Sequence, residues 1–204
     1  MPHAVPRTAA PRLPASSLGP YRWRDYAAQP DQPRCELLYG HLLMSPSPSP
    51  LHQLIVALLA ERLRNGVRAS GGLVLFAPLD LHLADHSVVQ PDLVVYRAAR
   101  RPALDARLTT APDLAIEVLS PGSARHDRGT KLALYAEAGI PHYWLFDPHA
   151  RDAQFLVLGA DGYRVALPGP DGRYRAADLA TIDVDAFWRL VSDEADGIAP
   201  RSGD

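Results

Sequence analysis

At 204 residues the chain is long enough for one domain with a sizeable core and short for two. Its 47% apolar and 22% charged content is that of an ordinary globular protein, and a formal net charge of -2 gives no general support to nucleic-acid binding, so any basic patch has to be local. A single cysteine, Cys35, excludes an intrachain disulfide and fits a reducing, cytoplasmic setting, and no apolar run is long enough for an export signal or a membrane span.

Residues 1–20 are rich in Pro and Ala and carry no periodicity, which predicts a disordered tail. A short helix is expected within 21–28, and residues 35–44 read as two strands turning at Gly40. The SPSPSP run that follows cannot continue a sheet, because its three prolines lack N–H donors; it reads as a stiff connector ending at a helix start. Leu51, Leu54, Ile55, Leu58, Leu59 and Leu63 then form one apolar stripe, predicting a helix over 51–69 that stops at Gly71-Gly72.

From Leu73 the period changes to two. LVLFAP, LDLHLAD, PDLVVY (91–96) and LAIEVLS (114–120) read as strands, with an Arg-containing connection of undefined shape over 97–111. A helix over 124–138 is closed by Gly139 and Pro141. HYWLFD, AQFLVLG and YRVAL follow as strands, and a short helix around 185–191 closes a domain of residues 21–192, leaving 193–204 as a flexible tail.

Two residues stand out against this pattern. Glu117 is the one charge inside an apolar strand, and an ionised carboxylate there is costly to bury unless a cation or hydrogen-bond donors satisfy it. Asp92 is likewise the one charge of its strand. If the two strands are antiparallel neighbours, Asp92 and Glu117 face each other across about 5 Å and repel unless a metal ion or a proton lies between them. Such oxygen ligands, completed by water, suit Mg²⁺ or Mn²⁺. The rival Asp113 lies about 13 Å from Glu117 along the same strand, too far to share an ion, and reads as a residue at the strand start.

Lys131 is the only lysine; the other 20 basic residues are arginine. It lies on the helix leaving the Glu117 strand, on one face with Asp127 and Tyr135 at i, i+4 and i+8. An exposed Asp-Lys pair is the plain account of that spacing, but the short Ser120–Ser123 connection folds the helix back toward the strand end. A lysine there can position or deprotonate a water for attack on phosphorus.

The segments QPDLVVY and APDLAIEVLSPGSARHDRGTKLALYAEAGIPHYWLFDP, with CELLYGHLLMSPSPSPLHQ before them, resemble the Uma2 family of restriction-endonuclease-like proteins, within the PD-(D/E)XK nuclease superfamily. The resemblance spans roughly residues 21–147. It implies an α/β (α+β) fold with a mixed sheet flanked by helices, and Mg²⁺- or Mn²⁺-dependent hydrolysis of phosphodiester bonds in DNA. Asp92 takes the place of the motif's aspartate and Glu117 that of its second acid. The superfamily's usual lysine position holds Leu119, and the Uma2-like pattern moves that role to Lys131. Glu36 and His52 also match family-like positions, as supporting residues, substrate contacts or, for His52, part of a helix cap. Asp80 and His82 alternate with leucines and point toward the site. Where the family has an acid before the first turn glycine, this chain has Tyr39. Dimerisation is a family-level expectation.

His82 and His86 have HxxxH spacing, but across a strand end and a turn, where it does not converge on zinc. No GxSxG, P-loop or dinucleotide fingerprint is present, and Cys35 reads as packing. The main alternative to a nuclease is a catalytically inactive binding or assembly module, with Asp92, Glu117 and Lys131 as an internal ion-pair network. For a nuclease, Arg97, Arg100, Arg101, Arg107, Arg125 and Arg128 are the expected phosphate contacts.

Overall fold

Period-two alternation along LAIEVL decides which side chains meet. Leu114, Ile116 and Val118 face one way, into a cluster with Ile55, Leu59 and Phe187, while Ala115, Glu117 and Leu119 face the other. The computed structural model describes residues 17–30, 34–44 and 47–198; the first 16 residues of the tail expected over 1–20, part of the SPSPSP connector and residues 199–204 lie outside them.

The chain begins with helix α1 (Trp23–Ala27) and the hairpin β1 (Cys35–Leu38) and β2 (His41–Met44). Tyr39 and Gly40 make the turn, both with positive φ, and the Gly40 backbone touches Gly19 so closely that a side chain has no room. Gly19 N donates to Tyr39 O (2.8 Å) and Leu18 packs on the core, so ordered structure begins before residue 21.

Helix α2 (Pro50–Val67) is capped by Ser49, whose side chain accepts from His52 N at 3.2 Å, with Pro50 in the first turn. Strands β3 (Leu73–Phe76), β4 (Leu81–Ala84), β5 (Ser87–Val89), β6 (Leu93–Tyr96) and β7 (Leu114–Val118) follow. Next comes an interrupted helix: α3 (Ala124–His126), a π-type turn over Asp127–Lys131, and α4 (Leu132–Glu137). Strands β8 (His142–Asp147), β9 (Asp152–Gly159), β10 (Gly162–Val165), β11 (Tyr174–Ala176) and β12 (Ala180–Ile182) precede α5 (Val184–Ile198). The last helix is longer than its sequence suggested and takes in the first half of the expected C-terminal tail.

A six-stranded sheet runs β10-β9-β8-β7-β6-β3 and a four-stranded sheet β2-β1-β5-β4, with β11-β12 as a separate hairpin. Only β7 and β8 pair in parallel among the described strands, as their helical crossover requires. Helices α2 and α5 cover one face of the larger sheet; α4 and residues of the smaller sheet cover the other. This is a mixed α+β architecture. The sequence read residues 91–96 as one strand after a turn and left β5 unassigned. In the structure SVVQPDLVVY is two strands in different sheets, and Gln90-Pro91-Asp92 is the crossing between them.

Candidate functional site

The register Leu93↔Ile116 of β6 and β7 brings Asp92 level with Glu117, one step further along the antiparallel pair. Glu117 is 3% exposed and its partners are fixed: Tyr135 OH donates to its Oε1 at 2.7 Å and Lys131 Nζ at 3.1 Å. Lys131, 4% exposed, also lies 3.0 Å from Glu36 Oε1 and 3.3 Å from Asp127 Oδ1. The pair of Lys131 and Asp127 is buried, against the plain expectation of an exposed i, i+4 bridge. The π-type turn that contains both residues widens the helix where it meets the strand end; such turns recur at functional sites.

Asp92 Oδ2 accepts from Val118 N at 2.7 Å and lies 3.2 Å from His52 Nε2. Serine caps the helix and leaves the His52 ring free to reach Asp92. Glu36 Oε1 accepts from Gln90 N at 2.6 Å, and the Gln90 amide is held by Asp80 Oδ1 (2.9 Å), which also accepts from Tyr26 OH (2.8 Å). Asp80 therefore acts on the site only through Gln90. His82 turns away from it, edge-on to Trp23 with ring centroids 4.0 Å apart.

Glu36, His52, Gln90, Asp92, Glu117 and Lys131 line a cleft of about 650 Å³. Asp127 and Tyr135 stand behind it and do not line it. Sequence reasoning missed Gln90 and Arg34, which also lines the cleft; for Gln90 the available signal was its place directly before Pro91-Asp92.

The electrostatics follow from one lysine among four acids. Burial pushes the Glu117 carboxyl well above the usual carboxylate range; Lys131 opposes this, while Asp127, Asp92 and Glu36 reinforce it. Burial disfavours the Lys131 ammonium, but Glu117, Glu36 and Asp127 outweigh it and hold the lysine protonated well above its ordinary value. Held protonated in this way, the ammonium is a hydrogen-bond donor rather than a proton acceptor. For His52, burial lowers the imidazole and its hydrogen bond and charge contact with Asp92 raise it further, so that the net shift is upward.

No cluster of three or more His, Cys, Asp or Glu side chains suited to a metal ion occurs among the described residues. Asp92 and Glu117 offer two carboxylates, a number with which Mg²⁺ is held when water and phosphate oxygens complete its shell. The surplus of acids over cations here fits such an ion.

The expected phosphate contacts are largely committed elsewhere. Asp113, 1% exposed at the opposite end of β7, accepts from Arg97 N (2.8 Å) and Nη1 (3.0 Å) and from Arg100 Nη1 (3.2 Å). Arg107 lies over the Trp23 ring, 4.0 Å from its centroid, and Arg128 bonds Asp147 at 2.9 Å. Arg125 is exposed, with no ion pair among the described residues.

Comparison with known proteins gives the following. The Uma2 family model, described as "Putative restriction endonuclease", matches residues 23–178. The crystal structure of "a putative nuclease belonging to DUF820" from Anabaena variabilis superposes with a TM-score of 0.70 at 19% identity, over 84% of this chain and 99% of that one. At that identity the likeness establishes a shared fold. No curated protein matches the chain.

Proposed function

The chain belongs to the Uma2 family, and from that premise we propose that it is a metal-dependent nuclease that hydrolyses phosphodiester bonds in DNA. The observation that carries the reading is the imbalance of charge: Glu36, Glu117 and Asp127 gather around a single buried lysine beside an open cleft, and Asp92 lines the same cleft against His52. Burying that many acids costs more than the one lysine returns, unless a further cation binds or a carboxyl takes up a proton.

Asp92 and Glu117 would hold the ion, which supplies Lewis acidity against the charge that develops on a phosphoryl oxygen. The chain's own groups do the rest. His52 and Val118 N fix the orientation of the Asp92 carboxylate, and Tyr135 fixes that of Glu117. Lys131, protonated, donates to a water or phosphate oxygen at the cleft wall. Glu36, itself held by Gln90 N, keeps the lysine at that wall.

A second reading has one observation in its favour. The three carboxylates within 3.3 Å of Lys131 already satisfy it as an internal ion-pair network, as an inactive module would require. Calorimetric titration of Mn²⁺ into the wild type and Glu117→Gln separates the two. The nuclease reading expects binding to the wild type, at least tenfold weaker in the variant, and plasmid cleavage that Lys131→Met abolishes. Absence of binding at millimolar Mn²⁺ would leave the module.

A further inference from the structure

A second cavity, about 770 Å³, runs along α2 and the edge strand β3, away from the cleft. The two share Gln53, so they border the same side chain at the start of the helix. Gln53, Ala57, Ala60, Arg64 and Arg68 fall at i, i+4, i+7, i+11 and i+15, one helix face about 22 Å long at 1.5 Å per residue.

We propose that this groove binds a single-stranded stretch of nucleic acid that flanks the scissile bond. The site at its head is assigned by the nuclease reading, on which the proposal rests for its register with the cleft. Three observations carry it.

The first is charge. A chain with net charge -2 needs a local basic surface to hold phosphates, and Arg97, Arg100 and Arg128 are engaged by Asp113 and Asp147. Arg64 and Arg68 are exposed and form no side-chain hydrogen bond or ion pair among the described residues. Arg101 uses one donor on Gly71 O at 3.2 Å, and the guanidinium has five N–H groups. Glu61 is the one acid on the wall, against these three arginines.

The second is the aromatic at the junction. Phe76 ends β3 with 51% of its surface exposed, while Ala77 and Pro78, next in the chain, line the cleft. An exposed ring between the reaction site and a basic channel offers an unpaired base a stacking face. The third is shape. One helix face and one edge strand bound the channel along its length, a course that one extended strand of nucleic acid can follow.

The test uses the full chain with Ca²⁺ in place of a catalytic ion and follows the fluorescence anisotropy of labelled thymidine and uridine oligomers of about 12 nucleotides. Arg64→Glu/Arg68→Glu is expected to weaken binding at least tenfold and to reduce the salt slope by about 1.4 units, two contacts at about 0.7 each. Phe76→Ala should weaken it roughly fivefold or more. Groove-dependent binding of either oligomer supports the proposal. If the wild type binds the oligomers through the groove yet cleaves no nucleic acid with Mg²⁺ or Mn²⁺, the nuclease reading alone fails and the groove proposal stands. Unchanged affinity and slope in the double variant overturn the proposal. So does a change of sedimentation behaviour without a change in oligomer binding, since the groove would then seat a second copy of the chain along the β3 edge.

Discussion

Glu36 and Lys131 meet at 3.0 Å although they come from different layers, Glu36 from the smaller sheet and Lys131 from the crossover helix packed on the larger one. Their contact joins the two halves of the cleft, and Lys131 carries Asp127 and Glu117 with it. Removing the lysine charge leaves three buried acids facing one another. Lys131→Met is therefore expected to destabilise the fold by about 3–5 kcal/mol at neutral pH, read by urea denaturation. The deficit should shrink as pH falls, because protonated acids no longer repel. A loss of stability independent of pH would count against this account.

The sign for Glu117 alone can be worked out from its upward shift. A carboxyl raised above its ordinary 4.5 in the fold stabilises the protein fully below that pH, and the contribution is lost as pH rises through its folded value. In chelator, wild-type stability should thus decline as pH rises above about 4.5, and Glu117→Gln should flatten the decline. Thermal denaturation across that range reads it directly.

Tyr135 contributes a hydrogen bond of 2.7 Å to the same carboxylate from a fully enclosed position. Tyr135→Phe keeps the ring and deletes the donor, which predicts a cost of about 1.5–3 kcal/mol, typical of a bond to a charged group. Chemical denaturation measures it. A neutral result would mean that Glu117 is satisfied without the phenol.

Asp113 gives the control at the other end of β7. Asp113→Ala removes the buried partner of Arg97 and Arg100, which solvent still reaches, and is expected to cost about 1–3 kcal/mol. Mn²⁺ affinity of the folded variant should be unchanged, as followed by calorimetry below its melting temperature. A large drop in affinity would tie this distant pair to the site.

The parts of the fold legible in the sequence were those where a period was long or a single residue broke it. Helix α2 carries five turns of consistent spacing, and Glu117 is conspicuous because its strand is otherwise apolar. The β5 strand was lost because it has three residues and runs into a proline. The hairpin β11-β12 was lost because its strands are equally short, three residues each. Gln90 has no periodic signature, since its importance comes from a backbone N–H aimed at Glu36. The arginines of residues 97–107 looked free because their partners, Asp113, Asp178 and Trp23, come from other parts of the chain.

The crossing Gln90-Pro91-Asp92 has a consequence for how this family can vary. One end of it holds Glu36 through Gln90 N, and the other holds Val118 N through Asp92. A single residue inserted there would displace one end by about 3.3 Å, more than either bond tolerates. Insertions elsewhere, such as in the exposed turn Ala160-Asp161, leave both bonds intact. Length variation among functional relatives should therefore stop at these three residues, making their spacing a stricter ruler of an intact site than the identity of any surface side chain.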